Sequence, residues 1–149
     1  MNELIIFCGV YLIYISVFYA VLHVFLKHEK KHHVRHIITI LVTAVFAWIV
    51  GHVLKGVIAH PRPDSISALI IPDDVYSFPS GHATFMFALA MSMLSFDRKA
   101  GRIILLMAVV TGVARVLAGV HFWYDIVGGF ILGACIAYFV TLITKRFRD

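Results

Sequence analysis

The sequence predicts an all-α fold, a polytopic membrane helix bundle of about five transmembrane helices in a single domain spanning residues 1–149. Three observations lead there. Hydrophobic residues make up 61% of the chain and charged ones 14%, with a mean hydropathy of +0.93, which is too little polar surface to coat a soluble globule. Apolar residues fall into long runs, each near the roughly 20 residues that cross a hydrocarbon core of about 30 Å. The basic residues gather in short connections between those runs.

The first run, Leu4 to Leu26, is followed rather than preceded by basic residues, so it reads as a retained helix and not a cleaved leader. The others are Ile37 to Leu54, Phe78 to Phe96, Ile103 to Val120 and Phe122 to Thr144. Basic character marks the connection Lys27 to His36, the link Asp97 to Arg102 and the C-terminal end. By the positive-inside rule all three lie on the cytoplasmic side, which puts the N-terminus outside and the C-terminus inside; the expected location is the plasma (inner) membrane of a bacterium. The connection Ala59 to Ser77 and the junction near Gly119 to Trp123 then lie on the extracytoplasmic face. The net charge of +5 is explained by this topology, and no nucleic-acid partner is expected.

Smaller features carry structural readings. Cys8 and Cys135 lie in apolar runs without metal-ligand spacing and read as small core residues. Gly129 and Gly133 have the small-xxx-small spacing of close helix packing. His23, His52 and His60 read as hydrogen-bonded core or interface residues. His28, His32, His33 and His36 read as part of the cytoplasmic basic loop, and Asp73 and Asp74 as solvated loop charges.

Ionisable groups near apolar runs cost about 2.5–3.5 kcal/mol each at mid-bilayer and therefore need a reason. Lys55, Arg62, His82, Arg115, His121 and Asp125 all fall at the predicted outer ends. Three cations, two imidazoles and a carboxylate brought together would suit a multiply charged anion, with phosphate the natural candidate. Ser80 is placed to cap the third helix, where Gly81 and the free backbone N–H groups would face an anion. His82, at that helix start, is placed to give a proton to a leaving oxygen. His121 and Asp125 lie four residues apart, so the carboxylate can take the proton of one ring nitrogen and leave the other as a nucleophile. Arg115 would neutralise oxygens during phosphoryl transfer.

Together, Lys55-x6-Arg62-Pro63, Pro79-Ser80-Gly81-His82 and Arg115-x5-His121-x3-Asp125 resemble the three-part signature of the type 2 phosphatidic acid phosphatase superfamily, in the same order and spacing. The resemblance implies a membrane phosphatase that cuts the terminal phosphate from a lipid phosphate or diphosphate, undecaprenyl diphosphate by preference, with no metal and no cofactor. It implies His121 as the residue that becomes phosphohistidine, Asp125 as its orienting carboxylate and His82 as general acid. Lys55, Arg62, Ser80, Gly81 and Arg115 match the phosphate-binding set. Phosphatidylglycerol phosphate, phosphatidic acid and the phosphates of lipid A are the alternative substrates.

The chain departs from the family pattern in two places. Ala114 stands where the third motif usually has serine, and it motivates the alternative of a weakly active lipid-phosphate binder or transferase; one lost hydroxyl bond is worth only about 0.5–1.5 kcal/mol. Five predicted helices replace the six of many members, and a neighbouring protomer in a homo-oligomer is the expected substitute for the missing one. A haem or metal protein, prompted by the nine histidines, and a vanadate-dependent peroxidase are the more distant readings.

Overall fold

The computed structural model describes residues 1–27, 30–63, 68–72 and 74–146. Its regular structure is helical and runs in five segments: α1 (Asn2–Lys27), α2 (Lys30–Ile58), α3 (Gly81–Leu94), α4 (Arg98–Leu117) and α5 (Trp123–Arg146). Four of these carry stretches long and apolar enough to cross a membrane. Their outward faces are apolar, as lipid contact requires: Phe18 and Phe25 on α1, Val42 and Val53 on α2, Leu106 on α4 and Phe139 on α5 are all exposed.

The third helix departs from expectation. It has 14 residues, about 21 Å at 1.5 Å per residue, and falls short of a full span. Its start is delayed to Gly81 because Ser80 caps it, extended at φ −67° and ψ 117°, with its hydroxyl accepting from the Ala83 N–H. Its other end stops at Leu94, three residues before Asp97 opens α4. The shortness is tolerated because α3 is the axis of the bundle and packs against α2, α4 and α5. Ala83, Met86, Ala88, Leu89, Ala90 and Met93 are fully enclosed.

Small residues let the backbones approach, and Gly129 and Gly133 do so as their spacing predicts. A Cβ on Gly133 would stand 2.5 Å from the Thr84 carbonyl oxygen, and one on Gly129 would stand 2.9 Å from the Thr84 nitrogen. The α5 backbone therefore lies directly on that of α3, where dispersion contacts replace the hydrophobic drive that lipid cannot supply.

At the end of the bundle away from Lys55, Asp97 caps α4 by accepting from the N–H groups of Lys99 (2.8 Å) and Ala100 (2.9 Å). It also meets His23 Nε2 at 3.0 Å and Lys27 at 3.7 Å, tying the end of α1 to the start of α4. The Ala100 N–H first, then His23, hold this carboxyl well below the usual carboxylate range.

Three smaller expectations change. His36, expected in a solvated loop, is buried within α2 and lies tilted against Phe96, 4.4 Å between ring centroids. The preceding residues continue the helix instead of forming a loop, which carries His36 into the bundle. Cys135, expected in the core, lies on an exposed face of α5, whose opposite face carries the close-packing glycines; Cys8 is half-buried. His28, Asp73 and the side chains of His32 and His33 lie outside the described residues.

Gly133→Ala is expected to cost about 1–3 kcal/mol, because the neighbouring backbone must move to admit the methyl group. Gly56, whose Cβ would meet nothing within 4 Å, is the control: Gly56→Ala should leave stability unchanged or raise it by up to about 1 kcal/mol. Thermal midpoints of the two variants in one detergent check both.

Candidate active site

Three helix ends and two connections meet at a cavity of about 140 Å³. Its lining contains Lys55 from the end of α2, Gly81 and His82 from the start of α3, Arg115 from the end of α4, and Arg62, Asp74 and His121 from the connections. The space is a few times the ~30 Å³ share of one liquid water, enough for a phosphate group and too little for a lipid tail. Among the described residues, no three His, Cys, Asp or Glu side chains converge as a metal-binding group.

Asp125 underlies this arrangement. It sits in the first turn of α5 with no solvent exposure. Its Oδ2 accepts from His121 Nδ1 at 3.2 Å and from the Phe122 N–H at 2.8 Å, while its Oδ1 lies 3.4 Å from the Ser77 hydroxyl. Its backbone carbonyl accepts from the Ser80 N–H at 3.1 Å. One residue thus orients the imidazole and fastens the cap of α3 to α5.

The His121 tautomer follows from its neighbours. Arg62 can only donate, and its Nη1 faces His121 Nε2 at 3.5 Å, so Nε2 carries the lone pair and Nδ1 carries the proton given to Asp125. Burial is the main influence on this ring. It outweighs the Asp125 hydrogen bond and, with Arg115 and Arg62 nearby, pulls the His121 pKa down from 6.5 to about 4. At neutral pH the ring is uncharged and has a free in-plane lone pair facing the cations.

Arg62 is held from three sides. Its Nε donates to the Asp74 carbonyl at 2.9 Å, Nη1 to the Val120 carbonyl at 2.5 Å, and Nη2 to the Asp74 carboxylate. The connection that carries it is pinned by the Pro61–Tyr76 bridge and by the Ser77 N–H on the His60 carbonyl at 2.8 Å. His60 behaves as an interface residue: its Nδ1 lies 2.9 Å from the Pro61 carbonyl, and Tyr124 reaches its Nε2 at 3.4 Å.

The predicted residues come together with two refinements. Lys55, Arg62, Gly81, His82, Arg115 and His121 share the cavity, whereas Ser80 is fully buried beneath it as the α3 cap and Asp125 stands behind His121. Ala114 does not line the cavity; it faces α1, where a Cβ on Gly9 would stand 3.7 Å from it. A serine there would thus point to α1 and not into the cavity. Gly9 belongs to a π-helical turn, Phe7–Tyr11, that rests against Arg115. Such turns recur near functional sites.

Two expectations are overturned. Asp74 is no solvated loop charge: its Oδ2 meets Lys55 Nζ at 2.8 Å and its Oδ1 meets Arg62. Burial would raise its pKa, but the bonds to Lys55 and Arg62 outweigh that and hold it below the ordinary value. Two cations clustered without compensation recruit a carboxylate twelve positions after Arg62, too far for a local pattern to reveal. His52 is likewise no core residue. It is exposed on α2, stacks on Trp48 at 5.7 Å and lines the cavity one turn from Lys55.

Fold and site together define an integral membrane protein with a cationic pocket beside a carboxylate-oriented imidazole, a class equipped to hold a tetrahedral oxyanion against a nitrogen nucleophile. The family model of the PAP2 superfamily matches residues 36–149, and the chain belongs to that superfamily. It is 26% identical over 144 residues to the bacitracin transport permease protein BcrC of Bacillus licheniformis, covering 94% of this chain and 70% of that one. It is 34% identical over 106 residues to an undecaprenyl-diphosphatase of Sulfolobus acidocaldarius, covering 68% and 52% respectively. Phosphatidylglycerophosphatase B of Bacillus subtilis is 34% identical over 115 residues, with 68% and 56% covered. The chain thus spans about half of the length of the latter two relatives. A crystal structure of a transmembrane PAP2-type phosphatidylglycerolphosphate phosphatase from Bacillus subtilis shares the fold, with a TM-score of 0.74 at 22% identity, covering 99% of this chain and 78% of that one.

The His121 shift carries a sign. Its folded pKa of about 4 lies below 6.5, so the folded chain binds this proton less readily than the unfolded chain. The associated stability is complete above about pH 6.5 and is lost as pH falls through about 4. The thermal midpoint in detergent should fall across that window, and His121→Gln, which has no such proton, should show a shallower slope there.

Proposed function

We propose that this protein is a lipid phosphatase that removes the terminal phosphate of a lipid phosphate or diphosphate, undecaprenyl diphosphate first among them, at the extracytoplasmic face of the membrane. The observation that carries the reading is the neutral His121, its Nδ1 held by Asp125 and its Nε2 turned to a pocket lined by Lys55, Arg62 and Arg115. The PAP2 membership and the phosphatase names of relatives support it. The placement of the basic connections supports a topology with the N-terminus outside, the C-terminus in the cytoplasm and the pocket facing out.

The chemistry runs in two displacements. The substrate phosphate lies against Lys55, Arg62, Arg115 and the N-terminus of α3, whose free N–H groups and dipole favour an anion. His121 Nε2 attacks phosphorus and the bond from phosphorus to the leaving oxygen breaks; His82, which burial and then Arg115 keep uncharged in the unliganded chain, takes up a proton as the anionic phosphate binds beside it and gives that proton to the leaving oxygen. For a diphosphate the leaving group is the lipid monophosphate. His82, now a base, takes a proton from water; the resulting hydroxide attacks the phosphohistidine, inorganic phosphate leaves, and both histidines return to their starting states. Asp125 keeps the attacking nitrogen in the correct tautomer, and the cations offset charge on the equatorial oxygens. The lipid tail stays outside the small cavity, along the apolar exterior.

Phosphate release should be measured on undecaprenyl diphosphate, phosphatidylglycerol phosphate, phosphatidic acid and lipid A. The expected result is fastest release from undecaprenyl diphosphate, loss of release in His121→Ala, and an acid-quenched, labelled phosphohistidine in the parent chain. A purified, well-folded sample that releases phosphate from none of the four would sink the reading. Asp125→Asn, which leaves the ring the wrong hydrogen-bond partner, should lower kcat by about 10²–10⁴-fold, the usual worth of positioned acid–base groups.

A further inference from the structure

The site as it stands is not an open cationic pocket. One carboxylate oxygen of Asp74 lies 2.8 Å from Lys55 Nζ, and the other bonds Arg62 Nη2. Lys55 is 5% exposed, and Asp74 lines the same cavity as His82, Arg115 and His121. A carboxylate that bridges an ammonium and a guanidinium uses the same donors, in similar geometry, as two oxygens of a phosphate. Arg62 does not depend on that carboxylate for its position. Its Nε is fixed by the Asp74 backbone carbonyl and its Nη1 by the Val120 carbonyl, contacts that survive loss of the acidic group. The Asp74 carboxylate therefore occupies Nη2, the guanidinium nitrogen that the two backbone carbonyls leave for a ligand.

We propose that the Asp74 carboxylate is an internal competitor for the reacting phosphate. It occupies the seat on Lys55 and Arg62 in the unliganded chain, leaves that seat when substrate enters, and returns to it as inorganic phosphate departs. This rests on the phosphate-binding reading above and adds a residue outside the three motifs. A pocket of three cations and a helix N-terminus would otherwise retain its product; an acidic group that re-forms two charge-assisted bonds offsets that retention. Because occupation by Asp74 and by phosphate exclude one another, the apparent affinity of every ligand of this seat is reduced by one common factor, the fraction of chains in which the seat is open.

The test uses the full chain in detergent, with inorganic phosphate as the probe and its Kd measured calorimetrically for the parent, Asp74→Asn and Asp74→Ala. The first variant keeps the shape, the second removes the group, and a thermal melt identifies the variant that remains folded. The expected result is a phosphate Kd lower by about tenfold, the factor imposed by a closed form that outnumbers the open one by about ten to one. In turnover assays KM should fall by the same factor. An unchanged or higher Kd in a folded variant overturns the inference and makes Asp74 a residue that holds Lys55 in place. Failure of the parent and both variants to bind phosphate overturns it as well. The binding experiment needs no lipid, so a chain that binds phosphate as expected but hydrolyses no lipid would refute the proposed activity and leave this inference standing.

Discussion

The carboxylate of Asp125 is the contact on which the rest of the site depends. A carboxylate with no solvent exposure is sustainable only when hydrogen-bond donors replace the water it has lost. Here the donors are His121 Nδ1 and the Phe122 N–H, with the Ser77 hydroxyl beside the second oxygen. Each belongs to a segment that must be correctly placed for the imidazole to face the cavity. The same residue's carbonyl holds the Ser80 N–H, so the cap of α3 and the orientation of His121 stand or fall together. Burial both makes these bonds necessary and lowers the His121 pKa, leaving a neutral ring with a defined tautomer.

That placement requires the helices to lie unusually close. Gly129 and Gly133 allow α5 to rest on the backbone of α3, which brings the first turn of α5 to the N-terminus of α3. A Cβ on Gly112 would likewise stand 2.6 Å from Ile126, bringing α4 in beside α5 one residue after Asp125. In a bilayer, where burial of apolar side chains contributes little, backbone proximity and packing must supply the adhesion. The short α3 fits the same logic: enclosed by its neighbours, it has no lipid to span, and its free N–H groups open into the cavity and not into hydrocarbon.

Clustering cations in such a place has an electrostatic cost, and Asp74 and Asp125 offset it in different ways. Asp125 is permanently enclosed and acts through His121. Asp74, with its side chain 30% exposed, bonds Lys55 and Arg62 at the edge of the cavity. One acid orients the His121 imidazole and the other occupies the cations, so the pocket carries compensating charge before any ligand arrives.

The amino-acid sequence by itself determined the membrane bundle, its apolar runs and six of the residues that line the cavity, Lys55, Arg62, Gly81, His82, Arg115 and His121. Hydropathy reflects transfer free energy residue by residue, and the i, i+4 pair His121 and Asp125 is a local pattern with a local geometric meaning. The packing role of Gly129 and Gly133 was legible for the same reason. Only the tertiary structure decided the rest. It placed Ser80 under the pocket and not in it, turned Ala114 toward α1, shortened α3, buried His36 against Phe96, and brought Asp74 onto Lys55 and Arg62. These outcomes depend on distances between residues far apart in the chain, set by how closely helices pack and by which charges must find partners once water is excluded. A one-dimensional pattern carries no record of either.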